Sequence, residues 1–124
     1  YGPRFPDMSN AYDRNLRELA AQTAKQLDIP LQEGTYLMVS GPNFETAAEI
    51  KAFALLGADA VGMSTVPEVI CAVHSEIKVL GFSVITNFGT GLRSGVQSHE
   101  ETLREGEKAA QNLTKLVTSV IGEL

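Results

Sequence analysis

Phe44 and Glu45 stand side by side just after Gly41-Pro42, inside the run VSGPNFETAAEIKAFALLGADAVGMS that covers residues 39–64. An aromatic face beside a carboxylate can stack on a flat ligand and hydrogen-bond its rim, a pairing that suits a purine. Glu45 also has a purely structural reading, because a carboxylate in the first turn of a helix gains about 0.3–1 kcal/mol from the helix dipole. Asn87 ends an apolar run and opens a glycine-rich segment. Its carboxamide should emerge at the same edge as the turn that carries Glu45, although an isolated Asn at such a place also reads as an Asx-turn residue. His99 follows Ser98 at an expected helix start, where the positive end of the dipole disfavours imidazolium and favours a neutral ring. Ser64, just before Thr65, has a hydroxyl that could join backbone amides in holding an anion at a helix N-terminus. Met63 either packs on the apolar face of a sugar or fills core, and Tyr36 either turns its hydroxyl into a cleft or fills the strand layer.

These residues need elements to hold them. The spacing predicts a strand over Thr35 to Ser40, stopped by Gly41-Pro42, and then a helix capped by Asn43 with Glu45 in its first turn and Gly57 at its end. A second strand, Ala58 to Gly62, runs into Thr65-Val66-Pro67-Glu68, a capping-box spacing that opens another helix. Two strand-to-helix turns thus follow closely, and in parallel sheets such turns lie at the carboxyl ends of strands, where ligands bind. Upstream, Ser9 is the expected cap of a helix reaching about Leu27, with Tyr12, Leu16, Leu19, Thr23 and Leu27 as its buried stripe and Asp13, Arg14, Arg17, Glu18 and Lys25 in solvent. Downstream, Ile77 to Asn87 reads as a third strand covered on both faces. Phe88 to Gln97 is expected to be a mobile loop. Ser98-His99-Glu100-Glu101 is again a capping box, leading a helix nearly to the end of the chain with Leu103, Gly106, Ala110, Leu113, Val117, Val120 and Leu124 on one face. The order of elements is an α/β layer pattern. Three strands make a meagre sheet, so the chain is expected to be the later part of a longer polypeptide.

Composition excludes several classes. The chain has 124 residues, is 44% hydrophobic and 20% charged, and carries a net charge of -5. That is a globular balance, with no basic run or basic–aromatic interleaving to suggest nucleic acid as the partner. No apolar stretch approaches a membrane span. The opening YGPRFPDMSN has neither the basic end nor the apolar run of a signal peptide. The single cysteine, Cys71, has no internal disulfide partner, which points to a reducing, cytoplasmic setting. Among Val69, Ile70, Ala72 and Val73 it reads as a small buried hydrophobe. No Cys/His cluster has metal-ligand spacing.

The segments GPNFETAAEIKAFALLGADAVGMSTVPEVICAVH, GFSVITN and RFPDMSNAYD closely resemble the trimeric purine nucleoside phosphorylases, the group that also includes the methylthioadenosine phosphorylases. The resemblance spans essentially the whole chain. It implies the α/β phosphorylase fold, with a mixed central sheet flanked by helices, residues 1–124 being the C-terminal part of a single domain. It implies a pentosyltransferase of purine salvage, assembled as a homotrimer, in which phosphate attacks the anomeric carbon of a purine nucleoside to give free base and ribose 1-phosphate. By resemblance Phe44 lies against the purine, Glu45 hydrogen-bonds its N1 edge, and Asn87 contacts N7 and O6. Val61 and Gly62 line the base pocket, Met63 contacts the ribose, Tyr36 approaches the 3′-hydroxyl, His99 addresses the 5′-hydroxyl and Ser64 binds phosphate.

Asn87, Glu45 and His99 are thereby the expected catalytic set. Asn87 donates a hydrogen bond that strengthens as the departing base becomes anionic. Phosphate is co-substrate, and no metal or organic cofactor is expected. The resemblance also implies 6-oxopurine nucleosides, inosine and guanosine, over adenosine, because the methylthioadenosine enzymes carry an acid where Asn87 stands. The family's glycine-rich phosphate loop, and the Arg and His that hold most of the phosphate, have no counterpart here; the aromatic side chain lent across the trimer interface also falls before Tyr1. The 124 residues alone are therefore expected to be inactive. Two other readings compete: a non-catalytic purine-binding module, and a plain α/β interaction domain.

Overall fold

A computed structural model describes residues 2–94 and 98–124, except for the side chain of Glu101. Six elements follow in order: α1 (Arg14–Gln26), β1 (Tyr36–Met38), α2 (Ala47–Leu55), β2 (Ala60–Gly62), α3 (Val66–His74) and α4 (His99–Gly122). The chain forms two compact units. One comprises residues 1–31, 64–82 and 112–124, and the other residues 32–63 and 83–111.

In the first unit α1 starts four residues later than the expected cap at Ser9 would place it. Ser9 directs both its amide and its hydroxyl to Asp7 (2.9 and 2.6 Å), whereas Asp13 caps the helix by accepting from the Leu16 amide at 3.1 Å. Asp13 is therefore buried rather than in solvent, with its own amide donating to the Val79 carbonyl at 2.8 Å. The core consists of Ala20, Ala24, Leu116 and Val120, with Leu19, Ile29, Leu80 and Phe82 packed around it. Thr23 is fully buried as expected, and its hydroxyl has no hydrogen-bond partner among the described residues. The buried face of α4 is set by Leu116 and Val120, one turn apart. Of the expected stripe, Val120 is buried and Leu124 is exposed, while Leu116, outside the stripe, takes a core place; Leu103, which belongs to the other unit, is exposed there.

Helix α3 begins where the sequence puts it, yet the expected capping box does not form. Thr65 takes the N-cap position at φ 76 and ψ -53 and makes no side-chain cap bond. Val69 is the buried residue of α3. Cys71, two positions on and so about 200° around the helix, is exposed, which corrects its reading as a core residue.

The second unit is built on a βαβ turn of chain. β1 and β2 pair in parallel with Tyr36 opposite Ala60, Leu37 opposite Val61 and Met38 opposite Gly62, and α2 is the crossover that parallel pairing requires. The pair is tied at one end by Asp59, which accepts from the Thr35 amide at 2.8 Å. At the other end the Val39 amide donates to the Gly62 carbonyl at 2.9 Å. α2 is capped by Thr46 rather than Asn43, because Thr46 and Glu49 form a full capping box. The Glu49 carboxylate accepts from the Thr46 amide and hydroxyl, both at 2.7 Å, and the Glu49 amide donates back to the Thr46 hydroxyl at 3.2 Å. The expected third strand is not formed. Residues 77–87 find no ladder partner among the described residues, and an extended segment becomes a strand only by pairing its backbone. Ile77 and Ile85 are exposed rather than covered. The sheet of the described residues is thus a two-stranded parallel pair.

The capping box makes helix α2 sensitive to acid. The bond from the Thr46 amide, and then that from its hydroxyl, hold the Glu49 carboxyl below its ordinary value of 4.5. A carboxyl with a lowered native pKa stabilises the fold fully above its unfolded pKa and loses that contribution as pH falls through the native one. Amide exchange at Glu49 is accordingly expected to quicken, beyond its intrinsic pH dependence, as the pH drops below 4.5, and Glu49→Gln should remove that extra sensitivity.

No described helix is long and apolar enough to cross a membrane.

Candidate active site

The parallel pairing of β1 and β2 brings their carboxyl ends together, so that the segments after Met38 and Gly62 leave from one edge. Tyr36 faces Ala60, and its ring reaches diagonally over Gly62, a span that aromatic side chains bridge on one sheet face. A Cβ at Gly62 would overlap the Tyr36 hydroxyl and lie 2.9 Å from Cζ, so this approach requires glycine. Met63, the next residue, lays its thioether against Gly41 on the turn leaving β1. Tyr36, Gly62 and Met63 therefore form one cluster at the edge of the sheet. Val61 is half-buried in the pair opposite Leu37.

Phe44 and Glu45 lie on the connection between β1 and the Thr46 cap. Because α2 starts at Ala47, Glu45 precedes the helix instead of occupying its first turn, and the dipole explanation for it falls away. Its carboxylate has no hydrogen-bond or ion-pair partner among the described residues, and Phe44 beside it is 44% exposed. The Asn43 side chain, expected to cap the helix, instead donates to the Phe44 carbonyl at 3.0 Å.

Asn87 is half-buried, and its Nδ2 donates to the hydroxyls of Thr86 (3.0 Å) and Thr102 (3.5 Å). In this arrangement Nδ2 faces the two threonine hydroxyls, and Oδ1, an acceptor, is the end they do not engage. The loop after Asn87 docks on the first turn of α2: Gly91, at φ 82, lies so close to Ala47 that a Cβ there would come within 2.7 Å of the alanine methyl, and Gly89 sits against Ile50. No hydrogen bond joins Glu45 to Asn87, but their loops meet at this turn, two residues beyond Glu45.

The loop is also tied in its described part. The Arg93 guanidinium stacks 3.6 Å over the Phe88 ring, and the Leu92 amide closes a turn on the Gly89 carbonyl at 3.1 Å. Residues 95–97 of the expected mobile loop lie outside the described residues. His99 is the first residue of α4 and is exposed. The Ser98–Glu101 capping box rests on a side chain outside those described.

Ser64 belongs to the other unit, where its hydroxyl lies 3.1 Å from that of Thr65. The left-handed φ of the β-branched Thr65 is strained by roughly 1–3 kcal/mol, the kind of outlier that marks functional junctions. Sequence reasoning missed Thr86, Thr102 and the Phe88–Arg93 stack. The only signal for the threonines was a hydroxyl residue beside Asn87 and another one turn into the last helix.

Residues 1–122 match the family described as the Phosphorylase superfamily. The chain is 47% identical over 123 residues to purine nucleoside phosphorylase 1 of Bacillus subtilis (strain 168), covering 99% of this chain and 45% of that protein. It is 51% identical over 128 residues to the purine nucleoside phosphorylase of Bos taurus, covering 100% of this chain and 44% of the relative. The crystal structure of the Schistosoma mansoni purine nucleoside phosphorylase in complex with inosine superposes with a TM-score of 0.95 at 40% identity, over 100% of this chain and 45% of that one. The chain thus spans under half the length of these relatives, and the superposition shows the phosphorylase fold in that part. On a match that runs nearly end to end and a backbone likeness this close, the chain belongs to the Phosphorylase superfamily.

Proposed function

We propose that the protein to which these residues belong is a purine nucleoside phosphorylase, a cytoplasmic homotrimer of purine salvage that needs phosphate and no cofactor. The observation that carries this reading is an uncommitted Glu45 carboxylate beside an exposed Phe44, on a loop whose helix seats the segment bearing Asn87. Phe44 stacks on the purine, Glu45 takes hydrogen bonds from its N1 edge, and Val61 and Gly62 line the base. Met63 and Tyr36 meet the ribose, His99 meets the 5′-hydroxyl, and Ser64, held at the strained Thr65 junction, contributes to phosphate.

In the reaction a phosphate oxygen bonds the anomeric carbon while the bond to N9 breaks, and its electron pair goes to the purine. Positive charge builds on the sugar and negative charge on the base, as in other oxocarbenium-like displacements. The base leaves protonated at N7 by solvent, and Asn87 Oδ1 accepts from that N–H. This bond exists only once N7 carries a proton, so it favours the transition state over the bound nucleoside.

Support comes from relatives named purine nucleoside phosphorylase and from Schistosoma structures holding inosine, hypoxanthine and guanosine. A structure with adenosine also exists, so substrate choice needs its own measurement. Full-length protein incubated with inosine is expected to release hypoxanthine only when phosphate is present, and faster than it releases adenine from adenosine. Purine binding without turnover would favour a non-catalytic binding module, and the absence of both would reject a purine site. Since Ser64 is the only phosphate contact proposed here, the 124 residues by themselves are expected to give no turnover.

A further inference from the structure

Thr102 stands one turn into α4 and is half-buried. Its Oγ1 donates to the Ser98 carbonyl at 3.3 Å and lies 3.5 Å from Asn87 Nδ2. A hydroxyl has one proton to give. With that proton committed to Ser98, Thr102 faces Asn87 as an acceptor only. The Thr86 hydroxyl has no such commitment and can serve either end of a carboxamide, donating to the oxygen or accepting from the nitrogen. Thr102 therefore breaks the symmetry of the Asn87 amide. Turned over, Asn87 would set its oxygen lone pairs against those of Thr102 Oγ1 and lose a hydrogen bond in a half-buried place, which is unfavourable.

The geometry points to Thr102 as a positioning residue that decides which end of the Asn87 carboxamide faces the purine. The inference rests on the functional reading above, which puts Asn87 at the base. It also joins the base contact to the sugar contact, because His99 lies three residues before Thr102 on adjacent turns of one helix. The threonine touches no substrate itself; it acts by holding the acceptor outward.

The test uses full-length protein carrying Thr102→Val, which keeps the shape and removes the acceptor, and Thr102→Ser, which restores it. For Thr102→Val, kcat with inosine is expected to fall by about tenfold or more, while KM for phosphate and the thermal midpoint stay near those of the parent. Thr102→Ser should recover most of the loss, and the crystal structure of the Val variant should show the Asn87 amide turned or split between two orientations. A Val variant as active as the parent, or a Ser variant as impaired as the Val variant, would overturn the assignment. If the parent itself releases no hypoxanthine, the phosphorylase reading is what fails. The Asn87 orientation in the Val crystal then decides the role of Thr102 separately, an unchanged amide rejecting it and a turned one upholding it.

Discussion

Asn87→Leu in the full-length protein is expected to lower kcat/KM for inosine by about 100- to 1,000-fold, equivalent to roughly 2.7–4 kcal/mol of transition-state stabilisation. Leu keeps the branching pattern but removes the dipole that Thr86 and Thr102 hold in place. The effect is large because the dipole is fixed before the reaction begins and meets a proton that arrives on the base only as the glycosidic bond breaks. It should appear mostly in kcat, since the uncleaved nucleoside offers Oδ1 no N7 hydrogen. Asn87→Asp is the companion experiment. Asp replaces the only donor of the side chain with a second acceptor and adds a negative charge, which favours the 6-amino group of adenosine over the 6-oxygen of inosine, so the ratio of inosine to adenosine turnover should fall. Steady-state kinetics with both nucleosides measure this, and a loss for Asn87→Leu below about fivefold would remove Asn87 from the chemistry.

Leu116→Ala should be the most damaging single truncation in the unit that holds α1, with a loss of about 2–5 kcal/mol of stability. Leu116 is 2% exposed and packs with Ala20, Ala24 and Val120. Two of the three other fully buried residues of that core are alanines, whose side chains have no rotamers with which to fill a void, so a substantial cavity term is expected. Urea unfolding of the full-length protein is the measurement. A midpoint shift at constant slope reports the loss, and one equivalent to less than about 1 kcal/mol would mean that the core closes over the gap. Inosine turnover in the folded Leu116→Ala protein should be unchanged, because the residues proposed at the base lie elsewhere in the chain.

What depends on neighbours within one or two turns was legible in the residues alone: the existence and type of the four helices, the strand–helix–strand unit and the helix stop at Gly57. The sequence was silent wherever one local pattern admits several outcomes. Cap spacing recurs at Thr46, Thr65 and Ser98; Thr46 closes a full box, whereas Thr65 is held at φ 76 with its hydroxyl beside Ser64. Hydrophobic period located the last helix, but it did not single out Leu116, which packs with Ala20, Ala24 and Val120 in the core of its unit. The run 77–87 has strand composition and no ladder among the described residues, because pairing is a property of two segments and composition of one. The site shows the same division. Phe44 and Glu45 could be proposed as a pair from sequence because they are adjacent in the chain. Tertiary structure alone could reveal the Tyr36 ring over Gly62 or the Thr102 hydroxyl against Asn87, since strand register and helix docking bring together residues 26 and 15 positions apart.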